Sequence, residues 1–417
     1  MSREAVYFMK SPFKAVFVPL LIGLAQSVSA QSAHFQDIPV PAGFPQPEGR
    51  ALGSLHLNAD VTAGLMTTNN VYRDASHLSS EATQLGLSTS VTSSAERHLI
   101  IGTLEHFTQD FRDDAYQDMD LDVTNATVFG RFVTSEMTNL RLLVINEEDI
   151  LGKSQSEQLN NFTSGVQQNQ RVEAIFEIDN SRYFANIMGR NDEVESRTTT
   201  GFESDALDRS ERDYILLAGR HFGWGRAFLF GGTQSVRYES RTSPTLANRN
   251  SDENRYGVGA EYQIGSFSGD VDIFRFTQRF KSATIPDIEK AWVGSGRLNY
   301  TASDNLTLVF SADRSFHETN IPNSGGIFDE TIFLGGAWSL SPNMSLRMGP
   351  SYNKTEIQNT PVVIDRFELD VELAWQVSAH FEMLVSSNVF AQNAENPAFS
   401  GFDAQQAHTV ISVRYSL

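Results

Sequence analysis

The 417-residue chain contains no cysteine. Disulfide frameworks, thiolate metal sites and a lipidated cysteine anchor are all excluded by that absence. Long apolar runs are missing too: past residue 30 nothing approaches the roughly 18 consecutive apolar residues of a transmembrane helix. Proline is sparse in the bulk of the chain, with four of the thirteen crowded into 31–52. Positive charge is also in short supply, 32 Lys and Arg against 51 Asp and Glu. Phosphate would be repelled by such a surface, which argues against a nucleic-acid partner.

The first 30 residues have the texture of a secretory signal. Arg3, Lys10 and Lys14 give a positive start, Ala15 to Ala25 a short apolar stretch, and Val28 to Ala30 a small-x-small cleavage pattern. The apolar stretch is too short to span a bilayer, so export is the expectation. Removing 1–30 takes away three basic and one acidic residue, leaving 29 against 50, a net charge of −21. Residues 31–52 then read as a Pro-rich periplasmic leader without strand or helix, because proline cannot donate to a ladder.

What the chain has in quantity is dispersed aromatic and aliphatic residues. There are 29 Phe in a sequence that is 40% hydrophobic. From residue 53 to 417 they alternate with polar residues. GSLHLNADVTAGLM (53–66) puts Leu55, Leu57, Ala59, Val61, Ala63 and Leu65 on one face and His56, Asn58, Asp60 and Thr62 on the other. The same period recurs at 171–179, 255–264, 267–273, 305–313, 331–340 and 408–417, and a helical period fits none of these as well. Segments 82–92, 98–108 and 121–132 alternate poorly and leave one hairpin open in the count.

Connections alternate in length. Short turns occur at 93–96, 133–138, 179–182, 222–226, 264–267, 301–305, 340–344 and 377–381. Between them lie longer polar stretches at 67–81, 108–120, 147–170, 191–211, 239–254, 280–288, 317–329, 355–365 and 393–407. This sorting predicts an all-β fold: a transmembrane antiparallel up-and-down β-barrel of about 18 strands, with 16 the alternative, short turns facing the periplasm. Closure also removes bare sheet edges, which lipid cannot satisfy.

On that alternation Asp60, Glu173, Glu177, Glu261, Asp270, Asp272, Arg297, Arg347, Glu368, Asp370 and Glu372 are expected to face the lumen, since a carboxylate turned to lipid is unfavourable. They would either tune a pore or pair across strands. Arg314 breaks the phase of its strand. Trp224, Trp292, Trp338 and Trp375 are expected in aromatic girdles at the interfaces, where indole rings favour headgroup level.

Catalytic motifs are absent by pattern. GSFSG (265–269) lacks the central serine of a nucleophile elbow, no H-E-x-x-H occurs, and the nine His are scattered singly. DDAYQDMDLD (113–122) crowds carboxylates without calcium-loop spacing, so solvated acids are the expectation. No catalytic residue, cofactor or metal is expected.

The opening strand with TNNVYR (68–73), together with RSERDYILLAGRHFGWGRAFLFGG (209–232) and DRFELDVELAWQVSAHFEMLVSS (365–387), resembles the putative β-barrel porin 2 family of Gram-negative outer-membrane proteins. The resemblance covers 53–417 and departs only at the last residue, Leu417, where an aromatic is typical. It implies a location in the outer membrane and a role in or near exopolysaccharide export. The expected function is a porin-like channel for passive transport or polysaccharide export, not an enzyme. Outer-membrane lipid, small solutes or polysaccharide, and exopolysaccharide-export machinery are the expected partners. An outer-membrane lipid or peptide hydrolase, or a plugged structural or adhesive barrel, is the alternative.

Overall fold

A computed structural model describes residues 35, 38–39, 49–71, 78–95, 97–151, 165–198, 208–238, 249–317, 324–395 and 403–417. The proposed signal, most of the leader, Tyr72, Arg73 and part of the 190–213 segment lie outside these residues. A short β1 (Arg50–Leu52) precedes eighteen long strands. They are β2 (Leu55–Thr68), β3 (Ser80–Ala95), β4 (His98–Phe111), β5 (Leu121–Ser135), β6 (Thr138–Leu151) and β7 (Gly165–Asp179). Next come β8 (Tyr183–Thr198), β9 (Arg209–Phe222), β10 (Gly225–Tyr238), β11 (Ser251–Ile264), β12 (Phe267–Phe280) and β13 (Ile288–Ser303). The last are β14 (Leu306–His317), β15 (Ile327–Ser341), β16 (Met344–Ile357), β17 (Val363–Gln376), β18 (Phe381–Ala394) and β19 (Ala404–Ser416).

Each long strand pairs antiparallel with its sequence neighbours, and β19 closes the ring on β2 through His408–Ser416 against Asp60–Thr68. The eighteen-stranded barrel is therefore complete, without a free edge. The short turns all fall at one end and the long connections at the other, as the spacing predicts. A 3-10 turn at Asp114–Met119 interrupts the β4–β5 connection. There Asp113 accepts from the Ala115 amide (3.0 Å) and Asp120 from the Phe111 amide (2.7 Å), so these loop acids cap backbone.

Two features differ from expectation. β1 forms inside the leader, pairing Arg50 with Leu57 and Leu52 with Leu55. It lies beyond the last leader proline, so its N–H groups are available, and Gly53 takes the positive φ (68°) that the Leu52–Leu55 turn requires. The poorly alternating segments are regular strands whose inner face also carries apolar residues: Val123 and Phe129 of β5 are buried rather than exposed. Period two in hydrophobicity fades when both faces are apolar, although the backbone period does not.

Along most strands the face with exposed side chains is apolar. Leu65, Leu85, Leu104, Val172, Ile187, Leu216, Leu229 and Ile332 are examples. The opposite, shielded face carries the charges. This inversion of a soluble protein's pattern is the barrel's main physical signature.

Candidate functional site: the inner wall

The inner wall is organised by cross-strand ion pairs. Near the short-turn end four Arg–Glu pairs bridge strands: Arg141–Glu177, Arg226–Glu261, Arg347–Glu372 and Arg414–Glu382. Strand period places each pair on the same face within a few residues of a short turn. Asn139 also donates to Glu177 (2.9 Å), adding a neutral hydrogen bond to the charged one. Arg347 reaches Glu372 through Nε at 3.0 Å, with both side chains only 6% exposed.

Higher in the barrel Arg171 and Arg190 share Asp192, at 2.6 and 2.8 Å. Arg190 and Arg255 both approach Asp213. Arg190 thus bridges two carboxylates, each shared with a second arginine, and planar guanidinium groups suit such a partly desolvated wall better than ammonium groups would.

The acids expected in the lumen distribute as follows. Glu177, Glu261 and Glu372 belong to the lower pairs, with Arg347 the partner of Glu372. Glu173 lies opposite Arg190, and Asp270 opposite Arg297, in the strand register. Asp272 accepts from the Ser295 hydroxyl at 2.5 Å. Asp370 is fully buried and accepts from Asn388 Nδ2 at 2.8 Å. Asp60 and Glu368 make no ion pair among the described residues. Arg314 sits on β14 opposite Glu330 of β15, at 3.4 Å, rather than among the inner-wall pairs.

All four tryptophans are exposed on the outside. Trp224 occupies a short turn and stacks on Phe222 at 5.3 Å. Trp338 and Trp375 lie near the short-turn ends of β15 and β17, and Trp292 near the long-loop end of β13. Phe267–Tyr300 and Phe381–Tyr415 add two further ring contacts beside short turns.

Sequence reasoning missed two elements. The first is Glu105 on β4, buried and hydrogen-bonded weakly by the Ser88 hydroxyl at 3.4 Å; its strand alternated too poorly to assign a face. The second is a row of inward phenylalanines. Phe184, Phe228, Phe230 and Phe274 are in successive ring contact, at 6.3, 6.3 and 5.6 Å, and Phe276 meets Phe316 and Phe328 at 5.0 and 6.0 Å. The row climbs from the short-turn end of β8 toward the long-loop end of β12. Gly219 and Gly259 make it possible, because a Cβ at either would strike the Phe184 or Phe228 ring. The sequence reading assigns these phenylalanines to no face; the glycines opposite them are the available signal.

Above the Gly294–Arg314 pair, β13 and β14 no longer pair. There a cavity of about 350 Å³ opens against Phe274, Phe276, Glu253, Arg255 and Asp272. It combines apolar ring faces with hydrogen-bonding charges.

A closed eighteen-stranded antiparallel barrel, apolar outside and charged inside, is an outer-membrane barrel of the porin type. The chain belongs to the putative β-barrel porin 2 family, whose model matches residues 44–417. No curated protein matches the chain. Similar solved structures include the FrpB iron transporter of Neisseria meningitidis, at 9% identity, 85% of this chain and TM-score 0.49. The chain spans 65% of the length of that transporter. OccK11 (OpdR) of Pseudomonas aeruginosa is 12% identical, with 89% of this chain and 98% of the other covered, TM-score 0.45. OccAB3 of Acinetobacter baumannii is 10% identical, with 87% and 99% covered, TM-score 0.46.

Proposed function

We propose that the protein is a passive channel for polar solutes in the outer membrane of a Gram-negative cell, and not an enzyme. The polar, ion-paired inner wall carries this reading. Eighteen strands make a lumen too wide for wall side chains to fill, and a wall that faces water has reason to be charged. Unitary conductance in planar bilayers is the test. A folded barrel that inserts and gives no conductance steps overturns the channel.

The solute class is a finer reading. A row of rings beside carboxylates, guanidinium groups and amides suits a saccharide, whose C–H faces stack on aromatics while its hydroxyls take hydrogen bonds. The Phe228–Phe230–Phe274 row favours sugar passage on these grounds, and polysaccharide export is the form that the family resemblance adds. Transient current block by linear oligosaccharides, but not by polyols of similar size, would support it. Equal block by both would remove the saccharide preference.

A further inference from the structure

Apart from the phenylalanine row, the inner wall carries a compact apolar patch in the short-turn half of β14 and β15. There Val309 of β14 and Phe333 and Ala337 of β15 turn inward, all essentially without exposure. Phe333 lies flat on the wall because Gly335 and Gly349 leave room for its ring; a Cβ at either would come within 2.4 Å of it. An apolar seat facing a water-filled lumen is unfavourable unless something covers it.

Two residues of the leader cover it. Phe35 and Ile38 are 0% and 1% exposed and share one apolar cluster with Val309, Phe333 and Ala337. Ile38 donates its amide hydrogen to the Phe35 carbonyl (3.1 Å), which brings the two side chains together. Ile38 Cδ1 lies 2.8 Å from where a Gly335 Cβ would stand, so the glycine shapes the seat for it. The Arg347 guanidinium covers the Phe35 ring at 5.4 Å while its ion pair with Glu372 fixes the plane. A guanidinium tied down on its edges and stacked on its face makes a clamp.

The position in the barrel gives this contact a consequence. Val309 and Arg347 each lie a few residues from the start of β14 and β16, and Ala337 a few from the end of β15. The seat therefore lies in the short-turn half of the barrel, running inward from Ala337 to Phe333 at the middle of β15. The leader is anchored there as well, by the pairing of β1 to the first residues of β2. The chain from Ile38 to Arg50 can reach at most about 40 Å, enough to cross a lumen of this size from β2 to β15.

We propose that the Val309–Phe333–Ala337 seat is a docking site for the chain's own N-terminal segment, and that Phe35 and Ile38 narrow the channel in its periplasmic half by occupying it. Seat occupancy is independent of the channel reading; only the narrowing rests on it.

The absence of native cysteine makes a thiol probe clean. Ala337→Cys in the full chain is treated with a small water-soluble methanethiosulfonate, with and without Phe35→Ser and Ile38→Ser. Folding of each variant is checked by its heat-dependent electrophoretic mobility. Labelling is expected to be slow in the parent and at least tenfold faster in the double-serine background. Unchanged labelling in a folded barrel overturns docking. The same serine variant is expected to raise unitary conductance several-fold over the parent. Faster labelling with unchanged conductance in a conducting parent overturns the narrowing. In a second variant, Phe35→Cys with Ala337→Cys, oxidation is expected to hold conductance at the parent level and reduction to raise it.

Discussion

Arg347 donates to a single oxygen of Glu372 through both Nε (3.0 Å) and Nη2 (2.5 Å), within a wall that leaves either side chain 6% exposed. A pair this shielded depends on both members. Arg347→Ala should cost about 3–5 kcal/mol, because it strands a buried carboxylate. Replacing both residues by methionine removes the charges together and should cost much less. Urea unfolding of the barrel in lipid vesicles, followed by tryptophan fluorescence, measures both. Equal losses in the single and double variants would show that packing rather than charge holds the site.

The barrel is legible in the sequence because its signals are one-dimensional: strand period, turn length and the lack of long apolar runs. RFELDVELAW (366–375) carries its faces openly, and the structure keeps Asp370 and Glu372 on the shielded side with Phe367 and Trp375 exposed. Pairing was not legible, because the partner of Glu177 depends on register between β6 and β7, which alternation does not supply. The phenylalanine row was not legible for a different reason. Phe228 obeys period two, but on the face where a polar residue was expected, and only the Gly259 beneath it records that the ring points inward. The leader seat was out of reach altogether, since Phe35 sits in a proline-rich stretch with no period.

Ion preference should follow the acids that lack a cationic partner. Asp60, Glu105 and Glu368 make no ion pair among the described residues, whereas the lower Arg–Glu pairs cancel their own charge at a distance. Changing the three acids to amides should lower the cation-to-anion permeability ratio, read from reversal potentials in a salt gradient. Replacing one pair as a unit, Arg226→Gln with Glu261→Gln, should leave the ratio unchanged. Asp270, which faces Arg297, should contribute less than Asp272, whose partner, the Ser295 hydroxyl, is neutral and leaves the carboxylate charge in place.

The phenylalanine row makes its own prediction. If rings carry a saccharide along the wall, Phe230→Ala and Phe274→Ala should each weaken sugar-induced current block by about 0.5–1.5 kcal/mol, a few-fold in affinity. Trp292→Ala, on the outside, should leave block intact. Equal sensitivity at the inner and outer positions would separate the block from the row.

Gly349 on β16 tests the seat from the wall side. A Cβ there would stand 2.4 Å from the Phe333 ring, and that ring is held in turn by Phe35. Gly349→Ala should therefore destabilise the barrel by about 1–3 kcal/mol, the usual cost of overpacking. It should also loosen the leader, seen as faster proteolysis near residue 35 in the folded protein. Adding Phe333→Leu should restore part of the loss by giving the methyl room. A stability loss without any change in cleavage would mean that Phe333 absorbs the clash alone.

The assignment of faces can be tested by two lysines at adjacent positions. Leu369 and Glu368 sit in the middle of β17, one on each side of the sheet. A lysine at the bilayer midplane on the lipid side costs about 2–4 kcal/mol, while lumen positions tolerate charge. Leu369→Lys should thus lower unfolding stability by that amount or prevent membrane assembly. Glu368→Lys should fold nearly as well as the parent and act on permeation, shifting the reversal potential toward anions. Neither outcome depends on which solute passes, because only period two and the polarity of the two surroundings set it. Equal tolerance of both lysines would mean that β17 does not present Leu369 to lipid.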